Sequence, residues 1–197
     1  KDLYVRLALL YHDIGKPLCY TMDGGVGHFY GHAAISRDIA EKSLRELRFD
    51  NQTVKLVTQL VEAHDRTIEP RKPVIRRCMN KLGEEQFVRL LDVKEADYAA
   101  QEQLYGDRLH KDEILQMMQE ILMAQKYQEE CFTLKDLAIN GNDLIQLGYK
   151  PGKKIGTVLN QLLEMVIDDK IANTSLSQYE ILFESKHYSS IYPITIL

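Results

Sequence analysis

The chain has 197 residues, 45% of them apolar and 27% charged, with a net charge of -4 and a pI near 5.9. That length can bury one good core, or one core and a small satellite. The acidic balance excludes a surface that attracts nucleic acid everywhere, so any such contact must use local basic patches. No run approaches the roughly 18 apolar residues of a membrane span, and no basic-then-apolar leader opens the chain, so no membrane partner is expected.

Nearly every segment has helical period and no alternating strand stands out, so the expected fold is all-α. In "LALLYHDIGKPLCY", Val5, Ala8, Leu9 and His12 share one helix face, with Gly15 as the expected stop and Pro17 beyond it. The pair His12-Asp13 thus continues a buried stripe. A buried carboxylate there is costly unless a partner charge or a metal offsets it. "TMDGGVGHFYG" reads as a loop with a tight turn at Gly24-Gly25.

Residues 32 to 48 read as a helix with Ile35, Ile39, Leu44 and Leu47 near one stripe. Asp50 or Asn51 is expected to cap the next helix, where Val54, Val57, Leu60, Val61 and His64 share a face. Pro73 suits the start of a helix that carries Cys78, Met79 and Leu82 and stops at Gly83. The following helix has Phe87, Leu90 and Leu91 on its stripe, which extends to Lys94 and then Asp97. A long polar helix is expected over roughly 110 to 128, with Ile114, Leu115, Met118, Ile121 and Leu122.

The composition changes near residue 130. Thr133 and Asp136 resemble a capping box, and short helices broken at Asn140-Gly141, Gly148 and Pro151-Gly152 follow. The last stretch, from about residue 178 to 197, shows no clear period. The cysteines, Cys19, Cys78 and Cys131, form no CxxC pair, which fits a reducing, cytoplasmic compartment and core-filling thiols. The chain opens without Met, close to its first helix, and is expected to be part of a longer protein.

Three apolar stripes therefore end in titratable groups: His12-Asp13, His64-Asp65 and Asp97. Imidazole nitrogen with carboxylate oxygen suits a divalent metal such as Mn, Fe, Ni, Co, Zn or Mg in a mixed site. Asp is short and His long, so neighbours 100° apart on a helix can converge on one ion. "GHFYGH" adds His28 and His32; its glycines disfavour one continuous helix, and His32 is expected to open the next one.

"LLYHDIGKP", the Gly31-His32 pair, Ala63-His64-Asp65 and the late Asp97 together resemble the HD superfamily of metal-dependent phosphohydrolases. The resemblance implies His12, Asp13 and Asp97 as metal ligands, with His32 and His64 touching a substrate phosphate or a second ion. His64 or Asp65 would be the acid-base group, and His28 and Lys16 could steady a phosphate. The superfamily supplies a further metal-binding His upstream of the doublet, and this sequence starts downstream of that position.

"GVGHFYGHAAISRDIAEKSLRELRFDN" and "LAINGNDLIQLGYKPGKKIG" resemble the C-terminal part of bacterial CCA-adding tRNA nucleotidyltransferases and their poly(A) polymerase relatives. This implies an HD domain over residues 1–130, a helical RNA-facing tail over 131–177 and an unassigned segment over 178–197. It also implies a tRNA partner. The sequence contains no Gly-Ser followed by Asp-x-Asp, so these 197 residues are not expected to transfer nucleotides themselves. Arg76 and Arg77, and Lys150, Lys153 and Lys154, are the candidate RNA contacts. Two alternatives stay open: an HD phosphohydrolase acting on nucleotides or cyclic phosphates, and an HD scaffold without metal.

Overall fold

A computed structural model of the chain describes residues 2–105, 114, 116–121 and 133–188. Among the described residues the chain is all-α apart from one small hairpin, and it divides into two compact units, Lys1–Leu122 and Met123–Leu197. Among the described residues, no helix is long and apolar enough to cross a membrane.

The first unit contains α1 (Leu3–Tyr11), a 3-10 turn (Lys16–Leu18), β1 (Thr21–Asp23), β2 (Val26–His28), α2 (His32–Glu46), α3 (Asn51–Ala63), α4 (Lys72–Leu82) and α5 (Glu84–Tyr105). Asp2 caps α1 by accepting from the amides of Tyr4 and Val5. Its other carboxylate oxygen accepts from Arg89 Nε at 2.8 Å, which ties α5 to the start of α1. Asp50, the first of the two expected caps, accepts from the amides of Gln52 and Thr53 and starts α3. Helix α3 lies centrally, touching α1, α2 and α5, and its face of Val54, Val57, Leu60, Val61 and His64 is buried throughout.

Several expectations need correction. The segment expected to be a loop is a hairpin, with Thr21 opposite His28 and Asp23 opposite Val26. Its strands are too short and exposed to show a buried alternation, while Gly24 and Gly25, at φ of 56° and 85°, make the two-residue turn. In α2 the buried line is His32, Ser36, Ala40 and Leu44; Ile35 and Ile39 are half-buried, and Leu47 faces solvent. The small Ser36 on this line lies where the loop after α1 comes close, with its Oγ accepting from the Gly15 amide. In the helical residues 114 and 116–121, Ile114, Met117 and Ile121 are buried and Met118 is half-buried. Leu115 and Leu122 lie outside the described residues, as does the unassigned segment beyond Tyr188.

Gly15 does not stop α1 by a left-handed turn. Helix α1 has already ended at Tyr11, and a Cβ on Gly15 would stand 2.8 Å from both the His32 carbonyl oxygen and the Ser36 amide nitrogen. The glycine is there for close approach: its own amide donates to Ser36 Oγ at 2.9 Å. Gly15→Ala is expected to cost about 1–3 kcal/mol by overpacking against backbone that cannot swing aside. Urea unfolding checks this, as a lowered midpoint at unchanged slope.

The second unit contains α6 (Gly141–Gln146), α7 (Lys153–Ile167) and α8 (Ser175–Tyr188) around a core that includes Leu144, Leu162, Leu163, Ile167 and Leu182. Thr133 and Asp136 do bond to each other, but they close a turn with no helix after it. The capping box belongs to Asn140 and Asp143, at the start of α6. Helix α8 forms where no period is legible; Gln178 on it is fully buried, accepting from the Ile139 amide and donating to Asn173 Oδ1. A buried amide on the core face breaks the apolar count that would have marked the helix.

Candidate metal centre

The centre is built where α1 and α3 end and α2 begins. His12 and His64 are the C-caps of α1 and α3, and His32 is the first residue of α2. The last turn of a helix leaves carbonyls without intrahelical partners. His12 Nδ1 bonds to the Leu9 carbonyl at 2.8 Å and His64 Nδ1 to the Val61 carbonyl at 2.7 Å, each three residues back. His32 Nδ1 reaches the Phe29 carbonyl at 3.0 Å in the same way. A carbonyl only accepts, so all three rings carry hydrogen at Nδ1 and, when neutral, present a lone pair at Nε2.

Those Nε2 atoms converge on Asp13. Its Oδ1 lies 3.3 Å from His32 Nε2 and 3.6 Å from His64 Nε2, and its Oδ2 lies 3.4 Å from His12 Nε2. His32 Nε2 and His64 Nε2 are 3.2 Å apart. Two lone pairs that close repel unless something positive lies between them. Asp13, His32 and His64 form the described group whose ligand atoms all fall within 4.8 Å of one another. Two buried imidazoles and one carboxylate are the mixed donor set that suits a first-row divalent metal, so the residues fit such an ion.

His12 is paired differently, with its Nε2 3.5 Å from Asp97 Oδ1. The Asp97 carboxylate raises the His12 imidazole above its ordinary value, against burial, which lowers it. His12 in turn holds the Asp97 carboxyl down. Burial pushes the Asp13 carboxyl up, but His64, Lys16 and His12 together hold it well below the usual carboxylate range. Behind the site Lys94, 4% exposed, donates to the carbonyls of His64 and Arg66, both at 2.7 Å. Burial lowers the Lys94 pKa while Asp65 and Asp97 oppose the shift.

These directions set a pH dependence for the metal-free chain. A raised His12 stabilises the fold fully below its unfolded value of about 6.5 and loses that contribution as pH rises through its folded value. Depressed Asp13 and Asp97 contribute above about 3.8 and lose it as pH falls through their folded values. The urea midpoint in EDTA is therefore expected to fall between pH 6 and pH 8.5, and His12→Gln should flatten part of that fall.

The other candidate residues are placed as follows. Lys16 forms an ion pair with Asp13. Asp65 is exposed, with Oδ2 3.9 Å from His32 Nδ1. His28 sits on β2 with its ring stacked on Tyr30, not in the three-residue group. Arg76 is buried and Arg77 half-buried, so neither projects freely from α4. Lys150, Lys153 and Lys154 are exposed in the second unit, the last two in the first turn of α7. Lys94 is legible on its stripe, but its bonds to two backbone carbonyls are not; nothing in a sequence marks a carbonyl as lacking a donor.

The model of the family described as tRNA nucleotidyltransferase domain 2 (putative) matches residues 29–181. The chain is 30% identical over 184 residues to the CC-adding tRNA nucleotidyltransferase of Thermus thermophilus, covering 92% of this chain and 40% of that protein. It is 28% identical over 166 residues to the A-adding tRNA nucleotidyltransferase of Deinococcus radiodurans, covering 83% of this chain and 37% of that protein. A segment of 43 residues is 51% identical to the CCA-adding enzyme of Pediococcus pentosaceus, covering 21% of this chain and 11% of that protein. The chain thus spans about two-fifths of the length of the first two relatives. No solved structure matches it significantly. The family match takes in α2, which carries His32, α3 and α5 of the first unit and the helical core of the second, and on that extent the chain belongs to the family of the second domain of tRNA nucleotidyltransferases.

Proposed function

We propose that the first unit is an HD-type metal-dependent phosphohydrolase domain and the second a tRNA-contacting tail, together part of a CCA-adding type of tRNA nucleotidyltransferase. The observation that carries the phosphohydrolase reading is the facing pair His32 Nε2 and His64 Nε2, 3.2 Å apart, with both Nδ1 hydrogens committed to carbonyls. That arrangement calls for a cation. Asp13 with His32 and His64 would hold a divalent metal, with His12 and Asp97 beside it. A metal so placed supplies Lewis acidity toward a phosphoryl oxygen and a more acidic bound water.

The chain's own groups do the rest. Lys16, ion-paired to Asp13, can turn toward a substrate phosphate. His12, with its hydrogen at Nδ1 and its Nε2 facing Asp97, can accept a proton at Nε2, where that carboxylate stabilises the imidazolium. Asp65, exposed at the rim, is the second acid-base candidate. For the tail, the cluster of Lys150, Lys153 and Lys154 on an acidic chain supports contact with RNA phosphates rather than bases. The cytoplasm, where tRNA is processed, is the proposed location.

The test is Mn-, Ni- or Mg-dependent hydrolysis of a 2′,3′-cyclic nucleotide by this chain and by a longer one that adds the preceding segment. Turnover abolished by His64→Ala supports the domain. Metal-independent background in both chains would leave the fold as a scaffold. RNA contact is read separately, as a shallower salt dependence of tRNA binding in Lys153→Glu/Lys154→Glu.

A further inference from the structure

His64 and Asp97 also form one wall of a cavity of about 220 Å³. Its other walls are the loop after α3, Tyr98 and Gln101 further along α5, and Met117. These walls divide by chemistry. Ile68 and Met117 present buried aliphatic and thioether surface, and Tyr98 an aromatic ring, with Lys94 Nζ 6.0 Å from its centroid. Arg66 and Gln101 present exposed polar groups at the rim. Gln101 is oriented, because its Nε2 donates to Asp97 Oδ2 at 3.0 Å and so fixes Oε1 as an acceptor.

An acyl chain would cover Gln101 Oε1 and the Arg66 guanidinium with groups that cannot hydrogen-bond, and a sugar would set hydroxyls against the buried Ile68 and Met117 surface. A flat heteroaromatic ring with a hydrogen-bonding edge satisfies both walls. The volume is below the roughly 300–1,000 Å³ of a pocket that encloses a whole ligand, so the cavity takes one part of a larger molecule. Because His64 and Asp97 belong to both the cavity and the metal centre, the part outside lies where phosphoester chemistry is proposed.

We infer that this cavity is a nucleobase subsite, which stacks the base of a nucleotide on Tyr98 and hydrogen-bonds its edge to Gln101. What happens to the attached phosphoester rests on the phosphohydrolase reading, whereas base binding needs neither metal nor turnover. The two can therefore fail separately.

Calorimetric titration of the full chain in EDTA with adenosine 3′-monophosphate, ribose 5-phosphate and inorganic phosphate tests the subsite. The nucleotide is expected to bind at least about tenfold tighter than either base-free phosphate. Tyr98→Ala should weaken the nucleotide by about 5- to 150-fold, the loss for one stacked base, while Tyr98→Phe retains binding. Gln101→Ala, at an exposed position that does not threaten folding, should shrink the preference between adenosine and uridine monophosphates. Equal binding of nucleotide and inorganic phosphate, or nucleotide binding unmoved by Gln101→Ala and by Tyr98→Ala, overturns the subsite. Tyr98-dependent binding without metal-dependent turnover keeps the subsite and removes the hydrolase. Turnover of a base-free phosphoester at the same kcat/KM as a nucleotide, unmoved by Tyr98→Ala, does the reverse.

Discussion

Asp13→Asn is expected to weaken Mn²⁺ binding by the chain by more than the roughly 10–100-fold that the loss of an outer-shell partner costs. The reason is position. Asp13 is the one carboxylate of the three-residue group, and its two oxygens face different groups: Oδ1 turns toward His32 and His64, and Oδ2 toward His12 and Lys16. The amide keeps the size and loses the charge, so it can still fill the space between the imidazoles without neutralising an ion there. Calorimetric titration of Mn²⁺ into wild-type and variant chains reads the change. Unchanged affinity would remove Asp13 from the centre, and an equal fall on Asp65→Asn, an exposed carboxylate outside the three-residue group, would show that the general field, not ligation, matters.

Lys94→Met should produce the second large effect, on stability and on the centre together. The ammonium is buried and donates to the carbonyls of His64 and Arg66. Without it, two carbonyls at the end of α3 lose their donor, at about 1–3 kcal/mol each, offset in part because a buried charge is no longer desolvated. A net loss of about 2–4 kcal/mol is expected in urea unfolding. The backbone that carries His64 also loses its tether, so metal affinity should drop by about 10–100-fold, as for other supporting residues. A variant with lowered stability but full metal affinity would show that Lys94 supports the fold and not the centre.

Much of the helical plan is legible because it follows from local chemistry. Asp50 caps α3, Pro73 starts α4 and Gly83 ends it, all as their backbone preferences require. Helix ends without such residues are harder to see. Helices α2 and α7 close with the same pair of backbone bonds, yet Arg48 and Asp169 occupy the left-handed positions, at φ of 60° and 56°. Neither residue signals a stop, because the tertiary fold carries the strain. Helix α8 is hidden for a related reason, since Gln178 is buried by bonds to Asn173 and the Ile139 amide, which are remote from its own periodicity.

The candidate site divides along the same line. Order and spacing along the chain are enough to single out His12, Asp13, His64 and Asp97, because an apolar stripe that ends in a titratable group is a local anomaly, and His32 is singled out by the Gly31-His32 pair. Which of them share a ligand position is not local. The sequence resemblance groups His12, Asp13 and Asp97; in the structure Asp13 lies against all three imidazoles, His32 and His64 at Oδ1 and His12 at Oδ2, and His12 also faces Asp97. That arrangement depends on where three helix ends meet and on which backbone carbonyls the Nδ1 atoms find. It also depends on Gly15 letting the loop after α1 lie against the start of α2. By itself the sequence determined the helices other than α8 and the residue types that could ligate, since caps, breakers and periodicity act within a few residues. Only the tertiary structure decided the convergence of Nε2 atoms, the anchoring by Lys94 and the cavity beside them, because each arises from groups 20 or more residues apart.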